Sequence, residues 1–165
     1  MESLNAAEER LLNLARGVDF ARRYYTLVGS TRSGKPCHNL PTPDIAAALA
    51  ATGRSFRFNR REWFYATREV GTPGELGLNL AIDGSVEFIL VARVSGGHIG
   101  RPFHGLALEL AQRFTPELIP SPRYPRPGYR DGSELRRVLT KGLALYADLA
   151  SAILAAGLLG DADKP

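Results

Sequence analysis

The sequence predicts an α+β domain in which an antiparallel meander of three or four strands is packed by about four helices, in the order α-α-β-β-β-β-α-α. Apolar residues recur at three- and four-residue steps towards both ends of the chain, which is the spacing of helices. Between residues 55 and 94 the pattern alternates with a period of two, and Asp83-Gly84 separates two of the alternating runs. With 165 residues the chain can bury one core, so we expect a single domain over residues 1–157 and a loose tail over 158–165.

The composition is that of an ordinary globular protein, and we expect a cytoplasmic protein without a metal or a cofactor. Hydrophobic residues make up 44% of the chain, yet no apolar run approaches the ~20 residues that cross a bilayer, so we expect no membrane partner. Cys37 is the single cysteine, which excludes an intramolecular disulfide and a cysteine-based zinc site and fits a reducing compartment. The net charge of +4 permits an acidic partner but is small and unclustered for nucleic-acid binding.

Two helices are predicted before the strands. The first covers residues 5–28, with Asn5 and Glu8 as a capping box at its start and Gly29 as a glycine cap at its end. The second is short and covers residues 43–52.

Residues 29–36 read GSTRSGKP, one hydroxyl short of the G-x-x-x-x-G-K-[ST] loop that binds nucleotide phosphates. A phosphate-binding loop follows a buried strand and opens a helix. This segment instead follows a helix, and Pro36 and Pro41 disfavour a helix after it. We therefore interpret the segment as a basic loop and expect no nucleotide cofactor.

Period-two alternation predicts four strands, at residues 55–59, 62–69, 75–82 and 85–94. In the second strand the alternation places Trp63, Tyr65 and Thr67 on one side. Asp-Gly between two apolar runs is a strong signal for a hairpin, and here it joins the third and fourth strands.

A two-residue Asp83-Gly84 turn fixes the register of this hairpin, with Leu80 opposite Glu87 and Leu78 opposite Ile89. Apolar residues then occupy both sides of the sheet, whereas an antiparallel sheet with one solvated face should alternate. Either helices cover both sides, or one side meets a second copy in a homodimer, a partner or a ligand.

Two helices are predicted after the strands, joined by a proline-rich connector. The helices cover residues 101–114 and 133–156, and Gly157 ends the second. The connector, residues 115–132, reads TPELIPSPRYPRPGYRDG and is called the strap below.

Four residues are candidates for a small-molecule pocket over the sheet. Glu87 stands on an apolar face, so it either pairs with an arginine such as Arg101 or Arg68 or serves as an acid or base in a pocket. His98 and His104 flank a glycine-rich turn, where backbone amides and Arg101 could hold an anion. The spacing of the histidines matches no metal motif, and packing roles for both are the alternative interpretation.

The strap is the candidate surface for a protein partner. It mixes arginines with tyrosines, the residue types that dominate binding hot spots. Its prolines keep it extended, which lowers the entropy cost of ordering the strap on binding. The alternative interpretation is a stiff connector between two helices, which would have the same composition. The candidate partner-binding residues are Arg123, Tyr124, Arg126, Tyr129 and Arg130.

The stretch REWFYATREVGTPGELGLNLAIDGSVEFILVARVSGGHIGRPFHGLALEL, a meander that leads through glycines into a helix, resembles the small bacterial immunity proteins in its order of elements. These proteins bind and neutralise a toxin delivered by a competing cell. The resemblance implies a non-enzymatic cytoplasmic binding protein with a protein partner. The alternatives are a small-molecule binder or enzyme that uses the four pocket candidates, and a weak nucleic-acid binder.

Overall fold

The computed structural model describes residues 3–31, 37–72, 75–123 and 125–161 and confirms the α+β fold. The helices in this part of the chain are α1 Leu4–Gly17, α2 Phe20–Gly29, α3 Thr42–Ala50, α4 Phe103–Phe114 and α5 Gly132–Ala155, with a short 3-10 helix at Pro116–Leu118. The strands are β1 Arg57–Asn59, β2 Phe64–Arg68, β3 Leu76–Ile82, β4 Val86–Val94 and β5 Gly97–Pro102. Most of the predicted basic loop, residues 32–36, lies outside the described residues, as do Tyr124 and residues 162–165.

The five strands form one antiparallel sheet in chain order, β1-β2-β3-β4-β5. The antiparallel meander is therefore confirmed, but it has five strands, where three or four were predicted. The missed strand is β5, whose sequence GHIGRP was interpreted as a turn running into a helix because of its glycines. Pro102 ends this strand, at a position where a proline does not interrupt the hydrogen-bond ladder, and α4 begins one residue later.

The predicted N-terminal helix is two helices. Asp19 has a left-handed backbone, with φ 54°, and this residue breaks the apolar stripe between α1 and α2. The N-cap of α1 is Ser3, whose hydroxyl accepts a hydrogen bond from the Ala6 amide at 3.3 Å, and not the predicted Asn5. Gly29 is the last residue of α2, so it does not form the predicted glycine cap.

The β3–β4 hairpin is present, but its register differs by one residue from the prediction. Ile82 pairs with Val86 and Leu80 with Phe88, because the connecting loop has three residues, not two. Gly84 takes the left-handed conformation that such a loop requires, with φ 67°.

A one-residue change of register exchanges the faces of every side chain on a strand. The helix face therefore holds most of the large apolar residues of β3 and β4, and there they are buried: Leu76, Leu78, Leu80, Val86, Phe88, Leu90, Ala92 and Val94. Ile89 and Val91 lie on the opposite face, where they are partly exposed. The opposite face, called the open face below, carries a mixed set that includes Asn79, Glu87 and Arg93. The predicted assignment of residues to the two faces is therefore wrong, and the apolar residues of the open face are fewer than predicted. A homodimer through this face, one of the predicted alternatives, stays a prediction.

Helices α4 and α5 pack directly on the helix face. Phe88 stacks on Phe103 with ring centroids 5.3 Å apart, and a Cβ added to Gly142 of α5 would lie 2.2 Å from the Phe88 ring. By length and composition α5 could cross a membrane, a test that buried core helices also pass, and 50% of its apolar window is buried in this fold.

The chain beyond α5 was expected to be loose from residue 158, but its first residues are packed against the domain. Leu158 is buried, Leu159 forms a β-bridge with Val94, and the Gly160 amide donates a hydrogen bond to the Arg93 carbonyl at 3.1 Å. These three residues continue the packing of the domain past Gly157, whose φ of 62° ends α5 as predicted.

Candidate functional site

Tyr129, one of the predicted contact residues of the strap, belongs to the core. Its side chain is 2% exposed, and its hydroxyl accepts a hydrogen bond from the Gly84 amide at 3.0 Å. The Tyr129 amide donates to the Gly84 carbonyl at 3.2 Å, and its own carbonyl accepts from Cys37 at 2.9 Å. Tyr129 therefore fixes the strap to the β3–β4 loop and is not displayed to a partner.

The backbone of the strap is fastened beside the start of β4. The Val86 amide donates to the Pro127 carbonyl at 2.9 Å, and Gly128 forms a β-bridge with Ser85. The buried hydroxyl of Tyr24 donates to the Pro125 carbonyl at 2.7 Å. Burial raises the pKa of the Tyr24 phenol, so this donor keeps its proton. These bonds make the middle of the strap part of the folded framework.

The strap arginines differ in what they contact. Arg126 lies 3.4 Å from a carboxylate oxygen of Glu87, and Arg130 forms an ion pair with Glu134 at the start of α5. The hydrogen bond from the Arg130 side chain lowers the pKa of Glu134. Arg123 is exposed and makes no ion pair with any described carboxylate. Tyr124 lies outside the described residues.

The four pocket candidates do not converge on one cavity. Glu87 and His104 lie together, with 3.0 Å between Oε1 and Nε2, and Arg126 approaches the other oxygen of Glu87. His98 pairs with Arg93, six residues further along β4, which is about 20 Å at the usual rise of a strand. Arg101 pairs across strands with Leu90 on the helix face and bonds to Glu109 of α4. The predicted four-residue pocket is therefore not formed, and Glu87 is paired with His104 and Arg126, not with Arg101 or Arg68.

The turn between β1 and β2 displays a surface that the sequence prediction missed. The side chain of Asn59 accepts hydrogen bonds from the Arg61 and Glu62 amides at 3.0 and 3.1 Å, and the Trp63 amide donates to the Asn59 carbonyl at 2.8 Å. These bonds hold Trp63 at φ 58°, a left-handed conformation that is rare for a bulky residue. Such strain persists only where the surrounding structure fixes it, and it concentrates at functional sites.

Trp63 is the most exposed aromatic residue described. Its side chain is 71% exposed, and its ring stands edge-on to Phe58 at 5.4 Å. Phe58, itself 37% exposed, lies 4.8 Å from the ring of Tyr65. The three rings form a ladder that runs from the turn towards the body of the protein.

A groove of about 280 Å³ continues this ladder towards α3. Its walls come from α3 and the β1–β2 hairpin, and its lining residues are Ala46, Leu49, Ala50, Arg54, Phe56, Phe58 and Tyr65. Arg54, one of the lining residues, forms an ion pair with Glu69 at 2.8 Å and lies over the ring of Tyr146 at 5.1 Å. Aromatic residues and arginine, both present in this groove, are enriched in the cores of protein interfaces.

Three arginines are close to the aromatic ladder in sequence. Arg57, Arg60 and Arg61 flank it in sequence, all three are exposed, and no described carboxylate lies within ion-pairing distance of them. We call Phe58, Trp63, Arg60 and Arg61, together with the groove, the hairpin surface. It brings together Trp and Arg, two of the residue types that most often carry binding energy.

A sequence signal for this surface existed but was interpreted differently. The motif NRREWF contains an Asx-turn residue, two arginines and the only tryptophan of the chain. Period-two alternation placed Trp63 inside a strand with Tyr65 and Thr67, whereas β2 begins at Phe64 and Trp63 belongs to the turn. Tyr65 and Thr67 do lie on one side of β2, as predicted, and the register shows that this side is the helix face.

The described residues contain no cluster of three or more His, Cys, Asp or Glu side chains that could hold a metal ion. In comparisons with known proteins, the chain matches no family model, no curated protein and no solved structure.

Proposed function

We propose that this chain is a non-enzymatic protein-binding module that contacts its partner through the hairpin surface. The observation that carries the proposal is Trp63, a 71% exposed tryptophan held at φ 58° by the bonds of its own turn. A left-handed backbone at a bulky residue costs stability, and a contact between the exposed indole ring and a partner would offset that cost.

The charges around Trp63 specify the kind of partner. Arg60 and Arg61 are exposed without ion pairs to described carboxylates, so an acidic face would complement them. The groove of about 280 Å³ beside Phe58 would take an apolar side chain of that partner. A central aromatic anchor with a charged rim is the arrangement of an energetically focused interface.

The architecture-level resemblance to immunity proteins supplies a more specific form of the proposal. The module would act in the bacterial cytoplasm and neutralise a toxin by covering its active surface. The strap is the alternative contact region, through Arg123 and the half-exposed Arg126.

Affinity capture of the tagged chain from its own cells, followed by titration of the recovered protein, tests the proposal. We expect one stoichiometric protein, and its addition should change the emission of Trp63, the only tryptophan of the chain. If that protein is a toxin, the chain should inhibit it and Trp63→Ala should not. Recovery of the chain alone, or a partner that binds without altering Trp63 emission or being weakened by Trp63→Ala, contradicts the proposal.

A further inference from the structure

The open face of the sheet carries a slot at its β1–β2 end, on the side of the hairpin that faces away from the helices. The register puts Arg57, Phe64, Ala66 and Arg68 on this face, next to Gly77 of β3. The slot measures about 520 Å³ and is lined by Arg57, Phe58, Asn59, Arg60, Phe64, Ala66 and Arg68. It is larger than the groove of about 280 Å³ on the hairpin surface.

Gly77 and Asn79 hold Arg68 flat against the sheet at the edge of this slot. A Cβ on Gly77 would lie 2.6 Å from Cδ of Arg68, so only glycine leaves room for the side chain in this position. Nη1 of Arg68 donates to the Thr67 carbonyl and to Oδ1 of Asn79, both at 2.9 Å. The guanidinium is thus positioned before any ligand arrives, which lowers the entropy cost of binding.

The slot gathers positive charge that the described part of the chain does not neutralise. Arg57 pairs with Ala66, so it is the diagonal neighbour of Arg68 on the same face, and Arg60 lines the same slot. No described carboxylate forms an ion pair with any of these three arginines. Like charges on neighbouring strands oppose folding, and an anion between them would reverse that effect.

We propose that this slot binds a small phosphorylated molecule through a phosphate monoester. The second ionisation of a phosphate monoester gives it a charge of about −1.5 to −2 at pH 7, which matches several arginines better than one carboxylate does. Guanidinium groups also bind phosphate oxygens with two parallel hydrogen bonds. The slot has room beyond the phosphate, and the ring of Phe64 offers a surface on which an aromatic group could stack. Phe58 and Arg60 belong to both the slot and the hairpin surface, whereas Arg57, Phe64 and Arg68 belong to the slot alone, so the phosphate site can be tested without the proposed protein partner.

Calorimetric titration of the full chain with inorganic phosphate, AMP and adenosine, at constant ionic strength, tests the site. We expect phosphate and AMP to bind, AMP more tightly, and adenosine not to bind. Arg57→Ala and Arg68→Ala should each weaken AMP binding by about tenfold or more, as expected for loss of a charge-assisted contact. Arg61→Ala is the matched control, because it removes an equal charge from the same turn but does not line the slot.

Asn79→Ala tests whether AMP binding depends on the position of the Arg68 side chain or only on the positive charge of the region. This variant keeps every charge but releases Nη1 of Arg68 from Oδ1, so it should weaken AMP binding several-fold. Thermal unfolding of each variant without ligand checks that the fold is retained. The proposal is overturned if AMP fails to bind wild type, if Arg61→Ala weakens binding as much as Arg57→Ala, or if Asn79→Ala has no effect. It is equally overturned if a phosphoserine peptide or a single-stranded oligonucleotide binds the slot more tightly than AMP.

Discussion

The strap and the β1–β2 hairpin have similar compositions and opposite relations to the rest of the molecule. Both combine arginines with aromatic residues, although the strap connects two helices and the hairpin is formed by the strands β1 and β2. In the strap, Tyr129 is 2% exposed and Arg126 and Arg130 are ion-paired. In the hairpin, Trp63 is 71% exposed and its arginine neighbours have no described carboxylate partner. The residue types of a hot spot thus identify a binding surface only when the fold leaves them exposed and does not bury or ion-pair them.

The difference follows from the position of each segment relative to the sheet. The strap runs beside the start of β4 and completes hydrogen bonds there, through Pro127 and Tyr129. The hairpin contains the edge strand β1, which is three residues long and has a strand on one side only. Short edge strands are a common way to limit unwanted pairing, and they leave their side chains available for partners.

The largest expected effect on stability is in the strap. Tyr129→Ala should lower the free energy of unfolding by about 3–5 kcal/mol, because it empties a buried site and removes the acceptor of the Gly84 amide. Urea unfolding followed by circular dichroism measures this change. Tyr129→Phe keeps the ring and should cost only about 1 kcal/mol for the lost hydrogen bond. A loss below about 1 kcal/mol for Tyr129→Ala would mean that the strap is not part of the framework.

The second largest expected effect is a loss of stability at alkaline pH, through the Tyr24 contact with the strap. Burial raises the pKa of Tyr24, so the folded chain keeps this proton when the unfolded chain has released it. Above about pH 10 the folded state then binds more protons than the unfolded state, and stability falls as the pH rises. Urea midpoints measured between pH 8 and 11 should decline above pH 10, and the decline should be shallower in Tyr24→Phe. Parallel curves for the two proteins would show that Tyr24 does not anchor the strap through Pro125.

Trp63→Gly should leave the stability of the domain almost unchanged. Glycine removes the left-handed strain of roughly 1–2 kcal/mol, which offsets the loss of the edge-on contact with Phe58, about 0.5–1.5 kcal/mol. We expect a net change within about 1 kcal/mol in the same urea experiment. A loss comparable to that of Tyr129→Ala would place Trp63 among the structural residues and remove the contrast between the two regions.

The smallest effects should distinguish the strap arginines from one another. Arg126→Ala removes one partner of Glu87, and because Arg126 is about half exposed the cost should stay below about 1 kcal/mol. Arg123→Ala should change the unfolding free energy by less than about 0.5 kcal/mol, since no described carboxylate pairs with it. Equal losses for both variants would indicate that the contact between Arg126 and Glu87 contributes nothing to the folded state.

Local patterns predicted much of this fold. The six-turn apolar stripe and Gly157 placed α5 within one residue at each end, because a long helix repeats its signal many times. The Asp-Gly pair located the β3–β4 hairpin but not its register, since a third loop residue, Ser85, is fixed by its bridge to Gly128. The strand β5 was missed because glycines conceal an edge strand that is defined only by pairing with β4.

The candidate site was harder to predict, for a physical reason. Whether an arginine or tyrosine is free depends on partners that are distant in sequence, as with Tyr129 and the Gly84 amide, 45 residues apart. By composition alone, the strap and the hairpin are equally good candidates for a binding surface. Only the tertiary structure distinguishes them. The backbone of Trp63 is a further case, since its positive φ depends on the Asn59 turn.

The affinity of the captured partner for two double variants tests the central claim most directly. Arg60→Ala/Trp63→Ala changes the hairpin surface, and Arg123→Ala/Arg126→Ala changes two side chains of the strap and removes one more positive charge. Calorimetry should show the hairpin variant binding at least about 30-fold more weakly than wild type, as expected for a hot spot worth about 2 kcal/mol, and the strap variant within about threefold of wild type. Weakened binding in the strap variant, with the hairpin variant unchanged, would contradict the assignment of the binding surface to the hairpin.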